Sequence, residues 1–431
     1  MKSIGIDIGT TGICGISVDI KSGEILKTVN RNNDCFIATD KDYEKIQDGE
    51  KILAIVTDII DNLFDEDTAS IGFSNQMHGI IYIDKCGKAL SPLYIWQDGR
   101  GNLPYKNGKT YAEYMNSFSG YGLVTDFYNR ENGLVPENTA YAATIGDFCI
   151  MNICKAESPL MHITNAASFG AFNLNEYRFT VDLPYLPKVT KDFAVAGYYK
   201  NIPVTVSVGD NQASYIGSVR NDDFALINVG TGSQISVVQK NCILPEGIEA
   251  RPFDGTNYLA AGCALCGGRA FKMVERFIAN CAELATDELP QNLYPKIDKL
   301  LETKTETTMS ADSRFCGTRI NPALKGSYAD IDELNFTPAD LILATLKGMS
   351  KELYDMYTLI DVKGKGLVCS GNGIRKNAAL QKIVEKDFNM PLYFPLYEEE
   401  AAYGAALSSM AGSGIYNSLD EARMLIKYKG E

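Results

Sequence analysis

The sequence predicts a mixed α/β protein made of two related halves. Residues 4–18, IGIDIGTTGICGISV, read as two short apolar strands joined by a Gly-Thr-Thr-Gly turn. Residues 224–238, FALINVGTGSQISVV, repeat this order of strand, glycine turn and strand about half the chain length later. Such self-similarity indicates an internal duplication. We therefore expect an N-terminal domain over residues 1–218 and a C-terminal domain over residues 219–431.

Composition supports two folded domains that act on small molecules. The chain has 431 residues, of which 45% are hydrophobic and 22% charged, which is typical of globular proteins. Its net charge of −13, without a Lys/Arg block, would repel nucleic acid and anionic membranes, so we expect neither as a partner. Eleven scattered cysteines fit reduced thiols and thus a cytoplasmic location.

The first half continues with helix and strand patterns after its opening hairpin. Apolar residues at 52, 55, 56, 59, 60 and 63 recur at the three-and-four spacing of an amphipathic helix. The stretches ASIGFS and GIIYID then read as strands. Residues 101–140, rich in Asn, Gly and Pro, are expected to form loops and irregular cover.

The second half shows the same alternation. Thr337 and Pro338 are typical of an N-cap and a first helical residue, and the helix is expected to run to about Ile360. The stretch GLVCSGNGIRKNAALQKIVEKDF predicts a strand, a glycine-rich turn and a helix that begins near Ile374 or Arg375.

Three glycine turns, at residues 9–12, 230–232 and 371–373, could bind phosphate. Gly-rich turns let backbone N–H groups approach an anion closely, and threonine hydroxyls add donors. Each turn alone is more simply explained as a hairpin or helix-start turn. Two matched hairpins and a third turn before a helix together predict phosphate binding.

Three aspartates, Asp7, Asp98 and Asp210, stand next to or near glycine. Asp7 and Asp210 follow strand-like runs, where α/β folds place their sites, whereas Asp98 is more typical of a turn former. A carboxylate beside a phosphate-binding turn needs a cation between them. Mg²⁺ fits because it binds one or two carboxylates together with waters and phosphates.

Two further segments could line a polar pocket. Gln76, Met77 and His78 lie between two predicted strands, so a pocket and ordinary packing are both open. Trp96, the only tryptophan, precedes Gln97 and Asp98. An indole beside hydrogen-bonding groups suits a sugar, although burial in the core is equally common for tryptophan.

At this point the sequence resembles the FGGY family of carbohydrate kinases. The motifs DIGTT, NQMHG, WQDGR, GDNQAS, GTGS, SGNGIRKN and EEEAAYGAAL occur in that family's order and cover both halves. The resemblance implies a duplicated actin-like, ribonuclease-H-like ATPase fold, with ATP and sugar meeting in an interdomain cleft. NQMHG is similar to the ketose-kinase version. NAASFGAFN at 165–173 and other motifs are most similar to the members that phosphorylate sedoheptulose.

The resemblance also implies roles for individual residues. Asp210 would be the general base, and Asp7 would position Mg²⁺ and phosphate, with either carboxylate holding the metal directly or through water. Contacts to the nucleotide and its phosphates are implied for Gly9, Thr10, Thr11, Gly230, Thr231, Gly268, Gly371, Gly373 and Asn377. The implied sugar pocket consists of Gln76, Met77, His78, Trp96, Asp98, Asn165 and Asp210.

Several functions remain open at the sequence level. The expected one is ATP- and Mg²⁺-dependent phosphorylation of a ketose, first of all sedoheptulose; a xylulokinase or another ketose or polyol kinase is the alternative. An actin-like chaperone ATPase would leave NQMHG and WQDGR without a purpose. An inactive sugar sensor would require the loss of Asp7 or Asp210, and both are present. Monomer and homodimer are equally compatible with the sequence.

Overall fold

The protein folds into two compact units, described here from a computed structural model of residues 1–362 and 364–431. Unit 1 comprises residues 1–221, 251–258 and 399–427, and unit 2 comprises residues 222–250, 259–398 and 428–431. The first boundary lies close to the expected one. The segment 399–427, however, was expected in the C-terminal domain and is part of unit 1.

The described residues contain 22 strands. They are β1 (Lys2–Ile8), β2 (Gly12–Asp19), β3 (Ile25–Asn32), β4 (Ile46–Gln47), β5 (Thr68–Asn75), β6 (Ile81–Ile83), β7 (Leu93–Tyr94), β8 (Tyr141–Ala143), β9 (Leu160–His162), β10 (Phe172–Asn173), β11 (Arg178–Phe179), β12 (Lys188–Thr190), β13 (Val195–Tyr199), β14 (Ile202–Gly209), β15 (Phe224–Val229), β16 (Ser233–Gln239), β17 (Ile248–Pro252), β18 (Tyr258–Ala264), β19 (Ser310–Asp312), β20 (Ser327–Ala329), β21 (Gly366–Ser370) and β22 (Leu392–Tyr393).

The same residues contain 13 α-helices. They are α1 (Gly49–Leu63), α2 (Tyr111–Tyr114), α3 (Gly122–Glu131), α4 (Ile145–Cys154), α5 (Ile163–Phe169), α6 (Asp210–Ser218), α7 (Gly268–Thr286), α8 (Tyr294–Thr303), α9 (Pro338–Thr358), α10 (Asn372–Arg375), α11 (Ala378–Phe388), α12 (Glu400–Gly412) and α13 (Leu419–Arg423). Within the described part of the chain, none of these helices is both long and apolar enough to cross a membrane.

Two six-stranded sheets repeat one topology and thereby confirm the predicted duplication. The first sheet has the order β13-β14-β5-β1-β2-β3 and the second the order β17-β18-β16-β15-β21-β22. In each, the first strand of a hairpin lies antiparallel to its second strand and parallel to a strand that follows later in the chain. Both predicted hairpins are present at the expected places.

The predicted helices form with small shifts. α1 covers the apolar stripe, and Thr337 caps α9 as expected by accepting a hydrogen bond from the backbone of Asp340. The helix expected from Ile374 or Arg375 begins instead at Ala378, because residues 372–375 form a separate helical turn, α10.

The expectation of irregular cover over residues 101–140 is wrong for part of that range, since α3 is a helix of ten residues. Its buried face carries Asp126, which accepts hydrogen bonds from the hydroxyls of Tyr82 and Tyr185 and pairs with Arg130. A buried carboxylate with its own partners interrupts the apolar periodicity by which a helix is detected in a sequence.

Helix α12 explains why residues 399–427 belong to unit 1. It packs on β1, β5 and α6 with close backbone contacts, and the hydroxyl of Ser409 also hydrogen-bonds to those of Ser3 in β1 and Ser70 in β5. A Cβ atom on Gly5 of β1 would lie 1.9 Å from the carbonyl oxygen of Ala402, and one on Gly72 of β5 would lie 1.9 Å from that of Ala405. Only glycine permits such close approach. The small-residue sequence of α12 is therefore matched to glycines in the sheet of unit 1.

We expect Gly404→Ala, in the middle of α12, to lower the free energy of unfolding by about 1–3 kcal/mol, the usual cost of overpacking. The new Cβ would lie 1.9 Å from the carbonyl oxygen of Ala213 in α6. Helix propensity alone predicts the opposite sign, a gain of about 1 kcal/mol. Denaturant unfolding measures the difference, with Ala401→Ser on the same helix as a control. An unchanged or more stable Gly404→Ala protein would contradict the packing described here.

Candidate active site

Asp7, Gln76 and Asp210 lie at one edge of the unit 1 sheet. Strands β1, β5 and β14 are parallel neighbours, and Asp7 and Val208 are both level with Ser74 of β5. Gln76 directly follows β5, and Asp210 follows β14 as the first residue of α6. The carboxyl ends of adjacent parallel strands are where open α/β sheets bind their ligands. The structure thus brings these predicted residues together.

Asp7 is partly buried at the end of β1. The hydroxyl of Ser74 donates a hydrogen bond of 2.8 Å to its Oδ1 atom. Burial raises the pKa of Asp7 above its ordinary value, and the bond from Ser74 only partly offsets this rise.

Asp210 is a second carboxylate with an altered proton affinity. Burial, and then the negative charge of Asp7, raise its pKa to about 7, against the lowering effects of the Asn211 backbone and Arg251. A carboxylate with this pKa can both accept and release a proton near neutral pH.

Two buried residues position the backbone just before Asp210. The N–H of Gly209 donates to the hydroxyl of Thr164 at 3.0 Å, and this hydroxyl lies 3.0 Å from Nδ1 of His162. Burial lowers the pKa of His162 to about 4, so its ring is neutral. Its Nε2 faces the carbonyl of Lys191 and must carry the proton, so Nδ1 accepts from Thr164. The sequence analysis missed both residues.

The structure gives Asn165 a bracing position rather than a place at a pocket surface. Its amide nitrogen donates to Oδ1 of Asn75 at 3.0 Å and to the carbonyl of Ser207 at 2.9 Å, and the residue is fully buried. These bonds join α5 to β5 and β14. The expectation that Asn165 touches the sugar is therefore corrected: it supports the strand ends that carry Gln76 and Asp210.

The first glycine turn is joined to the predicted sugar residues by hydrogen bonds. Trp96 Nε1 donates to Thr10 Oγ1 at 2.9 Å, and Thr10 Oγ1 donates to Gln76 Oε1 at 3.0 Å. The indole is 47% exposed, so one face is open to a ligand while its N–H is held. Gln47, which the sequence analysis did not single out, completes the network by bonds to Gln76 and to the Thr10 carbonyl.

The network also involves the threonine of the turn. The Thr10 hydroxyl donates its proton to Gln76 in this structure, and its expected contact with phosphate stays a prediction. Gly9 closes the turn by donating to the Gly12 carbonyl at 3.0 Å, and Thr11 is exposed at its tip. Thr11 and the backbone of Gly12 are therefore the parts of this turn that are exposed to solvent.

Met77 and His78 lie beside the same strand end. Met77 is buried, and its sulfur would be 2.9 Å from a Cβ atom on Gly209. His78 has a φ of 73°, which is uncommon for a non-glycine residue and often marks a functional position. Its ring stacks on Tyr121 at 4.3 Å, and its Nδ1 lies 2.9 Å from the carbonyl of Ser168. Nδ1 must donate to that carbonyl, so in the neutral ring Nε2 is an acceptor, suited to a hydroxyl.

Asp98 is not available as a direct sugar ligand. Its Oδ1 accepts from the backbone N–H and Nε of Arg100, and its Oδ2 accepts from Nη2 of Arg100 and the backbone N–H of Lys45. Both side chains are almost completely buried. Asp98 thus fixes the loop that carries Trp96, which corrects its predicted place in the pocket.

In unit 2, three glycine segments converge at the end of β15. The N–H of Gly268, at the start of α7, donates to the carbonyl of Gly230 at 2.9 Å, and the next N–H donates to the carbonyl of Thr231 at 3.1 Å. Cβ atoms on Gly371 and Gly373 would lie 2.5 and 2.7 Å from the carbonyl oxygen of Val229. The three segments, which were predicted separately, therefore lie side by side and present their backbone at the end of β15.

Unit 2 has an equivalent residue pair in which the donor is reversed and the charge of Asp7 is absent. Asn228 stands two residues before Gly230 as Asp7 stands two before Gly9. Asn228 pairs in register with Ser370, as Asp7 does with Ser74, and its amide donates to the Ser370 hydroxyl at 2.7 Å. A neutral amide beside a phosphate-binding turn avoids the repulsion that Asp7 would create.

Asn377 is the N-cap of helix α11. Its Oδ1 accepts from the backbone N–H of Leu380 at 2.9 Å and so caps α11. Ser, Thr, Asp and Asn are the usual residues at such caps. The implied contact between Asn377 and adenosine therefore cannot use this oxygen.

No group of three or more His, Cys, Asp or Glu side chains that could hold a metal occurs among residues 1–362 and 364–431. Asp7 and Asp210 are two carboxylates, and Mg²⁺ commonly uses only one or two, with waters and phosphates as its other ligands.

Comparisons with known proteins agree with this architecture. Residues 3–129 match the family model of the FGGY family of carbohydrate kinases, N-terminal domain. The chain is 24% identical to the sedoheptulokinase of Mus musculus, over 94% of this chain and 96% of that protein.

Solved structures extend the likeness to the whole chain. The ligand-bound xylulose kinase of Lactobacillus acidophilus superposes with a TM-score of 0.84 at 19% identity, covering 99% of this chain and 92% of that one. The glycerol kinase of Plasmodium falciparum with ADP gives a TM-score of 0.82 at 19% identity, covering 98% and 92%. The predicted fold class, the duplicated actin-like ATPase fold, is thereby confirmed.

Proposed function

We propose that this chain, whose residues 3–129 match the N-terminal domain of the FGGY family of carbohydrate kinases, is a kinase that transfers the γ-phosphoryl group of ATP to a hydroxyl of a ketose, sedoheptulose. The observation that carries the proposal is the assembly of Asp7, Gln76, Trp96 and Asp210 around one sheet edge of unit 1. This assembly combines a proton acceptor with an apolar face and fixed amides, which suits a polyhydroxylated substrate.

The choice of sedoheptulose rests on two supports. The motif NQMHG, with Met77 and His78, is similar to the ketose-kinase version, and the relative from Mus musculus that matches over nearly its whole length is a sedoheptulokinase. Xylulose is the second candidate, supported by the xylulose kinase structure. His78 and the exposed part of Trp96 are the side chains through which unit 1 would contact either ketose.

In the proposed mechanism Asp210 accepts the proton of the sugar hydroxyl. The sugar oxygen forms a bond to the γ-phosphorus while the bond from phosphorus to the β–γ bridging oxygen breaks, and the electron pair leaves with ADP. Phosphoryl transfer depends mainly on alignment and charge stabilisation, so the proton can leave late. A pKa of about 7 places Asp210 near the optimum for a general base at neutral pH.

The carboxylates of Asp7 and Asp210 would also suit a magnesium ion. The negative charge of Asp7 raises the pKa of Asp210, which means that the charges repel and that a divalent cation would compensate both. When bound, Mg²⁺ would neutralise charge on the phosphate oxygens. Ser74 orients Asp7 for this contact through its bond to Oδ1, which leaves Oδ2 as the second acceptor.

The nucleotide is proposed to bind to the glycine segments of unit 2. Gly230 and Thr231 would lie at the phosphates, and Gly268 opens a helix of 19 residues whose N-terminus favours negative charge. Gly371, with a φ of 80°, and Gly373 pack directly against the carbonyl of Val229, which holds this turn at the end of β15, where adenosine would bind.

The sugar is tested by measuring ADP release with ATP and Mg²⁺ over sedoheptulose, D-xylulose, D-ribulose, L-fuculose and glycerol. We expect sedoheptulose to give the highest kcat/KM, on the strength of the ketose-kinase motif and the sedoheptulokinase relative. A pocket that hydrogen-bonds hydroxyls can separate these sugars by large factors. A preference for D-xylulose would replace sedoheptulose by the second candidate. Stimulation by glycerol alone would contradict a ketose substrate.

The base is tested with Asp210→Asn. We expect kcat to fall at least ~100-fold, because a positioned general base contributes roughly 10²–10⁴-fold, while the sugar dissociation constant stays within a few-fold. Asp40→Asn, at an exposed aspartate of the same unit, is the matched control and should retain full activity. Near-normal turnover of Asp210→Asn would remove Asp210 from the role of base.

A further inference from the structure

Four hydrogen bonds join Trp96, Thr10, Gln76 and Gln47. Trp96 Nε1 donates to Thr10 Oγ1 (2.9 Å), Thr10 Oγ1 donates to Gln76 Oε1 (3.0 Å), Gln76 Nε2 donates to Gln47 Oε1 (2.9 Å), and Gln47 Nε2 donates to the Thr10 carbonyl (2.8 Å). The last three bonds form a closed ring of Thr10, Gln76 and Gln47, which begins at the Thr10 hydroxyl and ends at the Thr10 carbonyl. We call this ring, together with Trp96 bound to it, the Thr10 ring.

The direction of every bond in the Thr10 ring is determined by its ends. The Thr10 carbonyl can only accept, so Gln47 must turn its nitrogen to it and its oxygen to Gln76. Gln76 must then present its nitrogen to Gln47 and its oxygen to the Thr10 hydroxyl, which therefore donates. The indole of Trp96 can only donate, and the lone pair of the same hydroxyl receives it. Every hydrogen bond in the ring therefore has one donor and one acceptor.

Gln47 holds the central position in this arrangement. It is completely buried, and Gln76 is 3% exposed, so neither amide can exchange its partner for bulk water. A buried amide that loses a partner is costly, and amides in a closed network strengthen one another. Gln47 lies in the two-residue strand β4, directly before Asp48, the N-cap of α1, so its backbone is also fixed.

We propose that Gln47 is a positioning residue that sets the orientation of the Gln76 amide and, through Thr10, of the Trp96 indole, and thereby joins the sugar-binding residues to the first glycine turn. This inference rests on the proposed function for its kinetic consequence only. Gln47 itself is buried beneath Gln76 and Thr10, so it acts through them rather than by touching the substrate.

The single tryptophan provides a direct readout. Emission from Trp96 reports the environment and hydrogen bonding of its indole without any ligand. We expect Gln47→Leu, which has a similar shape but no amide, to shift this emission in the ligand-free protein. Thr10→Val, at the partly exposed end of the ring, removes the acceptor of the indole and should give a shift in the same direction, while Thr10→Ser should restore the wild-type spectrum.

The kinetic arm uses the preferred ketose of the wild-type protein. Small misplacements of substrate-positioning groups cost up to about 100-fold, so we expect Gln47→Leu to lower kcat/KM for the sugar by roughly 10- to 100-fold, mainly through KM. The double variant Gln47→Leu/Thr10→Val should lose no more than the worse single variant, because both break one ring. Asn152→Ala removes a side-chain amide that donates to the Gly87 and Phe148 carbonyls, remote from the ring, and should change neither readout.

The outcomes separate this inference from the proposed function. An unchanged Trp96 emission in Gln47→Leu would overturn the inference, whatever Thr10→Val and the kinetics show. A shifted emission with additive kinetic losses would also overturn it, because the two residues would then act independently. If no ketose is phosphorylated by the wild type, the proposed function fails, while the emission arm still decides whether Gln47 orients Trp96.

Discussion

The parallel alignment of three strand ends in unit 1 is the constraint on which the rest depends. β1, β5 and β14 must end level with one another for Asp7, Gln76 and Asp210 to share one edge. The alignment is held from one face by α12, whose backbone touches Gly5 and Gly72, and by the contact of α12 with α6 at Gly404. Because α6 begins at Asp210, the same glycine contacts that stabilise the unit also fix the carboxylate.

Duplication has produced two sites with different chemistry from one topology. The hydrogen bond between Ser74 and Asp7 recurs between Ser370 and Asn228 at the equivalent register. In unit 1 the residue is an acid, which suits a cation and a proton-transfer site. In unit 2 it is an amide beside backbone-lined glycine turns, which suits phosphate oxygens. The change from carboxylate to amide thus agrees with the proposed kinase mechanism, in which unit 1 binds a cation and transfers a proton and unit 2 binds phosphate.

Local patterns in the sequence predicted the parts of this protein that depend on neighbouring residues. The two hairpins, the apolar stripe of α1, the cap of α9 and the strand-end positions of Asp7 and Asp210 all follow from short-range periodicity and turn chemistry. Contacts between distant segments could not be predicted. Asp98 and Asn165 resembled pocket residues, but Arg100 and Asn75 occupy their polar atoms. Gln47 gave one signal, a polar residue beside Ile46 in a buried strand, and its meaning depends on a partner, Gln76, that lies far along the chain.

The central claim is that the strand-end alignment holds Asp210, partly buried, beside the charge of Asp7 and so raises the pKa of Asp210 to about 7. A ¹³C NMR titration of aspartate carboxyl groups in the metal-free and ligand-free protein tests this directly, with the Asp210 signal identified by its loss in Asp210→Asn. The account predicts a titration midpoint at about pH 7, with the carboxyl protonated below it and ionised above it. A midpoint near the ordinary aspartate value of ~3.9 would contradict it.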